Sequence, residues 1–295
     1  MSQAGNAQDS SGQDPATRVR IAHLSDLHFG REQPLLVAAL AQQLHALNPD
    51  LVAISGDLTQ RARHHELSAA ADFLERLPQP VLVVPGNHDI PGVTPRRFRD
   101  PWRGWHRHFS EGLEPTVEQN DYIALGANSV RTWGPYLDWS RGRLRPAQIQ
   151  RLAARLQRAP QDRLRILVAH HPFLLTPAAT SRGLVAGGEP ALKCLARAGL
   201  DLALGGHVHL GYAGIVRGVL VVHAATGVSN RLVGEDNGFN LIEGHREALR
   251  VAHWRWQGRE FHEHSQHRFR RDANGWRAGS SGDVDRHRLT RNNAT

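Results

Sequence analysis

Five short apolar runs, each ending in residues able to hold a metal ion, constrain this chain more than any other feature. The run from Val19 ends in Ser25-Asp26-Leu27-His28, and residues 51–55 lead into Gly56-Asp57. Residues 81–84 lead into Pro85-Gly86-Asn87-His88-Asp89, and 164–169 into His170-His171-Pro172. Residues 202–204 lead into Gly205-Gly206-His207-Val208-His209. Apolar runs of this length bounded by Gly and Pro read as strands, and nearly unbroken ones such as Leu82-Val83-Val84 read as strands buried on both faces. If Asp26 and His28 continue the extended chain of the first strand, positions two apart project alike and can reach one ion. A lone Asp-x-His is common in unrelated chains; five strand endings of this kind in one chain point to a shared site.

Between the first endings the pattern changes to helix. Leu36, Leu40, Leu44 and Leu47 are spaced for a helix over 33–47, stopped by Asn48-Pro49, and a second helix is expected over 64–76. Strand–helix–strand–helix–strand is the pattern of parallel crossovers. A third helix is expected over 146–157, entered by Pro146, with strands at 122–125, 129–132, 212–216, 219–225, 239–243 and 249–256. Residues 91–112 are irregular; Trp102-Arg103-Gly104-Trp105-His106-Arg107-His108-Phe109 reads either as packing by two tryptophans or as a basic, aromatic grip on a substrate. Two crossover halves followed by a strand-rich end fit two sheets face to face with helices outside. The expected fold class is therefore α/β, a four-layer αββα sandwich of two mixed sheets flanked by helices.

A chain of 295 residues can bury a sizeable core, and endings drawn from both halves must converge, which favours one domain over 18–257. Residues 1–17, rich in Ser, Gln, Gly and Asp with no apolar run, read as a flexible polar leader. Residues 258–295 read as a basic, flexible tail carrying Arg259, Arg268, Arg270, Arg271, Arg277, Arg286, Arg288 and Arg291. The net charge of +8 comes almost entirely from arginine, Lys193 being the sole lysine. The tail is then a solvated appendage or an arm for nucleic acid. The single cysteine, Cys194, excludes an intramolecular disulfide and suits a reducing, cytoplasmic compartment; on its helix it reads as a buried structural thiol. No apolar run approaches the length of a membrane span.

In their order, Asp-x-His, Gly-Asp, Gly-Asn-His-Asp, His-His-Pro and Gly-His-x-His, spread over roughly residues 19–256, resemble the calcineurin-like metallophosphoesterase family. The resemblance implies a cofactor of two divalent metal ions bridged by Asp57. Asp26, His28 and His209 would complete one ion, and Asn87, His170 and His207 the other. It implies hydrolysis of phosphodiester bonds of a small molecule, a cyclic nucleotide among the candidates, by a metal-bridging hydroxide. Two ions about 3.5–4 Å apart both generate such a nucleophile and clamp the phosphate. A mixed N/O set without thiolate suits Mn, Fe or Zn. Asn87 and His88 would touch the substrate phosphate, with His88 as general acid and Asp89 orienting it; Asp89 alone reads equally as a capping carboxylate at a turn. His171 would sit behind the ligands or simply pack, and His23, His45, His64, His65, His223 and His253 have no motif support.

Gly-Asp-Leu-Thr at 56–59 argues against a Ser/Thr protein phosphatase, and His88 argues against the lipid A pathway hydrolases, which carry Arg there. The wording at 23–28, 85–89 and 170–172 looks like the bacterial class III cyclic-nucleotide phosphodiesterases. One departure is Phe173, where His-His-Pro-Pro is usual, and it bears on the substrate loop. The alternatives are a phosphomonoesterase or nuclease of the same fold, for which the Arg-rich tail is the encouragement, and a non-catalytic binding protein.

Overall fold

In the computed structural model, which describes residues 18–133, 140–177, 179 and 183–279, the parallel unit comes first. Strands β1 (Val19–Leu24), β2 (Leu51–Ser55) and β3 (Val81–Val84) lie side by side, joined by helices α1 (Pro34–Leu47) and α2 (His64–Glu75). Pro34 opens α1, Leu36, Leu40 and Leu44 form its buried stripe, and Asn48 ends it in the left-handed region with its N–H on Leu44 O. Two short helices, α3 (Pro95–Arg99) and α4 (Arg103–His108), then lead to β4 (Thr116–Glu118) and β5 (Tyr122–Ala127) of a second sheet. That sheet continues through α5 (Pro146–Arg158), β6 (Leu164–Ala169), α6 (Gly188–Arg197), β7 (Leu202–Gly205), β8 (Tyr212–Val216) and β9 (Val219–His223). The chain returns to the first sheet with β10 (Gly238–His245), β11 (Ala248–Trp256), β12 (Phe261–Asp272) and β13 (Gly275–Ala278).

The strand orders are β13-β12-β11-β10-β1-β2-β3 and β4-β5-β6-β7-β9-β8. Alternation along each strand divides the core. Ile21, Leu51, Ala53, Leu82 and Val84 face Ile166, Val168, Leu202, Leu204, Leu220 and Val222 between the sheets, while Ala22, Leu24, Val52, Ile54 and Val83 turn to α1 and α2. On the far side Leu167, Ala169, Ala203 and Val221 meet α5 and α6. This is the four-layer sandwich expected from the sequence. Each buried Leu, Ile or Val contributes roughly 1.5–3 kcal/mol, so the three clusters dominate stability. Among the described residues no helix is long and apolar enough to cross a membrane.

Three expectations change. Residues 129–132 form no strand; Ser129 instead turns its hydroxyl to His171 Nδ1 at 2.8 Å. Cys194 is half-buried at the edge of the helical core. Most important, the domain does not end at 257. β12 pairs with β11 from Ala248↔Arg270 to Trp256↔Phe261, and β13 pairs with β12. Phe261, Phe269 and Trp276 are buried, and Arg271 Nη2 reaches Asp201 Oδ1 at 3.2 Å. The sequence hid these strands because most other β12 side chains are exposed and polar. Residues 1–17 and the tail's last part, 280–295 with Arg286, Arg288 and Arg291, lie outside the described residues.

Candidate metal centre

The parallel strands β1, β2 and β3 end at one edge of the first sheet, and β6, β7 and β9 end at the adjoining edge of the second. The loops leaving those ends meet in the crevice between the sheets, where α/β folds place their ligands. Gly86 and Gly206 permit the contact: a Cβ on Gly86 would lie 2.1 Å from Asp57 Oδ1 and 2.2 Å from Asp57 N, and one on Gly206 would lie 1.8 Å from Ser25 Oγ. Only glycine lets the backbones approach this closely.

Seven side chains singled out by the sequence converge here. Asp57 directs Oδ1 to the His88 N–H at 2.8 Å. Its Oδ2 lies 3.8 Å from His28 Nε2 and 3.4 Å from His170 Nε2, between two groups of donors. In the first group Asp26 Oδ1 stands 3.7 Å from His28 Nε2 and 3.4 Å from His209 Nε2. In the second, Asn87 Oδ1 lies 3.2 Å from His170 Nε2 and 3.0 Å from His207 Nδ1. Asp26 Oδ1 and His28 Nε2 are buried with no hydrogen-bond partner. Orphaned polar atoms in a fully buried site are costly, and a cation at their focus satisfies both, so the donor set fits a metal centre.

The histidines are held from behind by their other nitrogens. His28 Nδ1 faces Thr59 O at 3.3 Å, His170 Nδ1 faces Ser55 O at 2.7 Å, and His209 Nδ1 faces Arg231 O at 2.8 Å. A carbonyl only accepts, so each Nδ1 carries a proton and each Nε2 is turned to the centre, where the neutral ring offers a lone pair. Asp26, His28, Asp57, His207 and His209 all have positive φ, from 48° to 72°, and they make up five of the eight non-glycine residues of that kind among the described residues. Strain of this sort costs on the order of 1–3 kcal/mol per residue and gathers at functional sites; Asp and His tolerate it better than most side chains. It also revises why Asp26 and His28 act together. Left-handed turns, not the two-residue period of an extended strand, bring both to one point.

Charge is arranged accordingly. Burial opposes ionisation of Asp57, but His170 and its neighbours hold the carboxyl well below the usual range. Burial likewise disfavours a charged His170, yet Asp57 outweighs it and lifts the imidazole to about 9. Asp26 is lowered by His209 and His28 against the effect of burial.

Asp89 departs from its expected role. Its carboxylate accepts from Gly86 N at 2.9 Å, Leu58 N at 3.1 Å, and Thr59 N and Oγ1 at 2.8 and 2.9 Å. It thus clamps the 86–89 turn to the 57–59 loop, as a capping carboxylate does, and burial followed by the charge of Asp57 raises it to about 6. The Gln60 carbonyl, 2.9 Å from Nδ1, orients His88 instead. His171 has both ring nitrogens occupied, by Ser129 Oγ at 2.8 Å and Ser140 O at 2.7 Å; burial and then His170 depress it. Phe173 is buried in the core beside α6, so the departure from His-His-Pro-Pro is a packing feature. His23, His223 and His253 lie buried around Asn240, which meets His23 Nδ1 at 3.2 Å and His253 Nδ1 at 2.6 Å.

Sequence reasoning missed Arg231. Its Nη1 lies 3.1 Å from His88 Nε2 and 3.3 Å from Gln60 Oε1, at the mouth of the centre. No motif marks it. It arrives because β9 runs parallel to β7 and ends at the same edge, a consequence of strand order that spacing does not reveal.

The calcineurin-like phosphoesterase family matches residues 19–211. A glycerophosphodiester phosphodiesterase of Enterobacter lignolyticus is 36% identical over 80 residues, 23% of this chain and 29% of that protein. A probable cyclic nucleotide phosphodiesterase of Synechococcus is 27% identical over 206 residues, 66% of this chain and 74% of the relative. The chain thus spans under a third of the first relative and about three quarters of the second. A dimetal phosphatase from Danio rerio shares the fold at a TM-score of 0.57 and 14% identity, over 85% of this chain and 100% of that one.

Proposed function

We propose, since the chain belongs to the calcineurin-like phosphoesterase family, that it is a metal-dependent hydrolase of small phosphodiesters. The observation that carries the reading is Asp57 Oδ2, shared between two donor groups of which one holds two orphaned buried atoms. Asp26, His28, Asp57 and His209 would hold one divalent ion, and Asp57, Asn87, His170 and His207 a second. When bound, such a pair supplies a nucleophile at neutral pH and neutralises the phosphoryl oxygens. Imidazole, carboxylate and amide donors without thiolate suit Mn, Fe or Zn.

The chain's own groups do the rest. Asp57 Oδ1 fixes the backbone of His88, and the Gln60 carbonyl keeps a proton on its Nδ1. His88 Nε2 accepts from Arg231, because a guanidinium only donates. An entering phosphate draws that guanidinium to its oxygens, which frees Nε2 to take up a proton from solvent and pass it to the leaving alkoxide. Asp89 positions both loops without touching substrate. The names of the relatives, which specify glycerophosphodiesters and cyclic nucleotides, support a diester over a monoester.

The test compares Mn-loaded protein on bis(p-nitrophenyl) phosphate and on p-nitrophenyl phosphate, with metal analysis of the wild type and of Asp57→Ala. The expected result is faster diester hydrolysis, two ions per chain in the wild type, and one or none with no turnover in the variant. A variant that keeps two ions and a near-normal rate would refute the shared-carboxylate assignment.

A further inference from the structure

Beside the metal centre lies a second cavity, of about 420 Å³, that the chemistry above leaves unused. It meets the catalytic turn at Asp89 and Pro91, just beyond Asn87 and His88, and its walls come from α3, α4 and the start of α2. Arg96, Arg99, Arg103 and Arg107 line it, together with His64 and His108. All four arginines are exposed, and among the described residues none of their guanidiniums forms an ion pair or hydrogen bond with another side chain.

Arg97 shows that the segment can pair an arginine where it needs one. Its Nε lies 3.2 Å from Thr132 O, Nη1 2.9 Å from Pro91 O and Nη2 3.1 Å from Arg131 O. These bonds pin α3 from its buried side, and Arg96 and Arg99 are left on the cavity side. Of the two carboxylates lining the cavity, Asp89 is already occupied by backbone donors, and Asp100 alone remains to balance four cations. His64 Nδ1 and His108 Nε2 stand 3.0 Å apart, so one must present a lone pair; burial, then His64 and Arg107, keep His108 below its ordinary value. A concave surface with this excess of positive charge attracts anions, and guanidiniums bind phosphate oxygens in their planar fork.

We propose that this cavity is a subsite for a second phosphate group of the substrate, so that the favoured substrates are diesters bearing a further phosphate, such as a 3′-phosphorylated nucleotide ester. The choice of a diester as the attacked group rests on the function proposed above; the binding of the second phosphate does not. A cyclic mononucleotide, with its single charge, would leave the cavity empty.

The test has a binding arm and a kinetic arm, both on metal-loaded protein. Calorimetry compares thymidine 3′,5′-bisphosphate with thymidine 5′-monophosphate for the wild type and for Arg99→Glu/Arg103→Glu. The wild type should bind the bisphosphate roughly tenfold or more tightly than the monophosphate, as expected for charge-assisted bonds, and the advantage should shrink as salt rises. In the variant the two ligands should bind alike. The kinetic arm compares thymidine 5′-(p-nitrophenyl phosphate) with and without a 3′-phosphate, and the same preference should appear in KM. If the binding advantage is present and neither ester is hydrolysed, the subsite stands and the catalytic reading falls. If the plain ester is hydrolysed but the bisphosphate binds no better, or its advantage survives in the variant, the subsite is overturned. Circular dichroism checks the fold of the double variant, and Arg99→Gln/Arg103→Gln replaces it if the charge reversal unfolds the protein.

Discussion

At the scale of the residue, His88 and Asp57 separate chemistry from metal retention. Asp57 touches both donor groups, whereas the ring nitrogens of His88 contact Gln60 and Arg231. His88→Ala should therefore keep two ions per chain and lose about 10²–10⁴-fold in rate on alkyl esters, the usual share of a general acid. On p-nitrophenyl esters, whose leaving group needs no proton, the loss should be much smaller. Equal losses on both would mean that Nε2 binds phosphate without donating. Arg231→Ala should raise KM by roughly tenfold, from one lost charge-assisted hydrogen bond, with metal content unchanged. Retention of wild-type KM would remove Arg231 from the substrate's path.

At the scale of the element, β12 and β13 belong to the sheet that carries β1 and hence Asp26 and His28. Ending the chain at 257 strips β11 of one of its two partner strands and exposes an edge. It also deletes Phe261, Phe269 and Trp276 from the core. At roughly 1.5–3 kcal/mol for each large apolar side chain, the loss is comparable with the whole stability of a domain, about 5–15 kcal/mol. Chain 1–257 should be aggregated or unfolded by circular dichroism, while chain 1–279, which keeps β12 and β13, should fold. A folded, active 1–257 would show that the last two strands are dispensable. The misreading of this segment has a physical origin: an outer strand with one solvated face carries so few apolar residues that composition alone resembles a tail.

At the scale of the whole molecule, protons and metal ions compete for the same buried atoms. His170, near 6.5 when unfolded, is lifted to about 9 beside Asp57 in the metal-free fold. A raised histidine stabilises the fold fully below its unfolded pKa, and that contribution disappears as pH rises through about 9. Histidines that burial depresses, such as His23 near 3 and His223 near 4, stay neutral in the fold and titrate near 6.5 when unfolded. That opposing effect, like the titration of Asp89 near 6, is over by about pH 7.5. The Tm of chelator-treated protein should therefore fall between about pH 7.5 and 9. Metal-loaded protein, in which His170 must be neutral to bind, lacks that loss. Ion at about 100 times Kd adds about 2.7 kcal/mol, and the Tm gap between the two forms should widen across this window. A gap that stays constant or narrows would place the proton elsewhere.

The seven candidate ligands and the αββα layering were legible in the sequence because both are local: a strand-length apolar run, its alternation, and the residues that end it. Each ending had only to be recognised, since parallel strands deliver their ends to a common edge. What the sequence did not determine was any relation that depends on which strands are neighbours. Arg231 reaches His88 only because β9 lies beside β7, and Asp89 clamps a loop some thirty residues away in place of its own neighbour. The arginine-lined cavity likewise needs α3 pinned by Arg97 to carbonyls of 131 and 132. Long-range pairing is settled by burial summed over the whole core, and no window of sequence contains that sum.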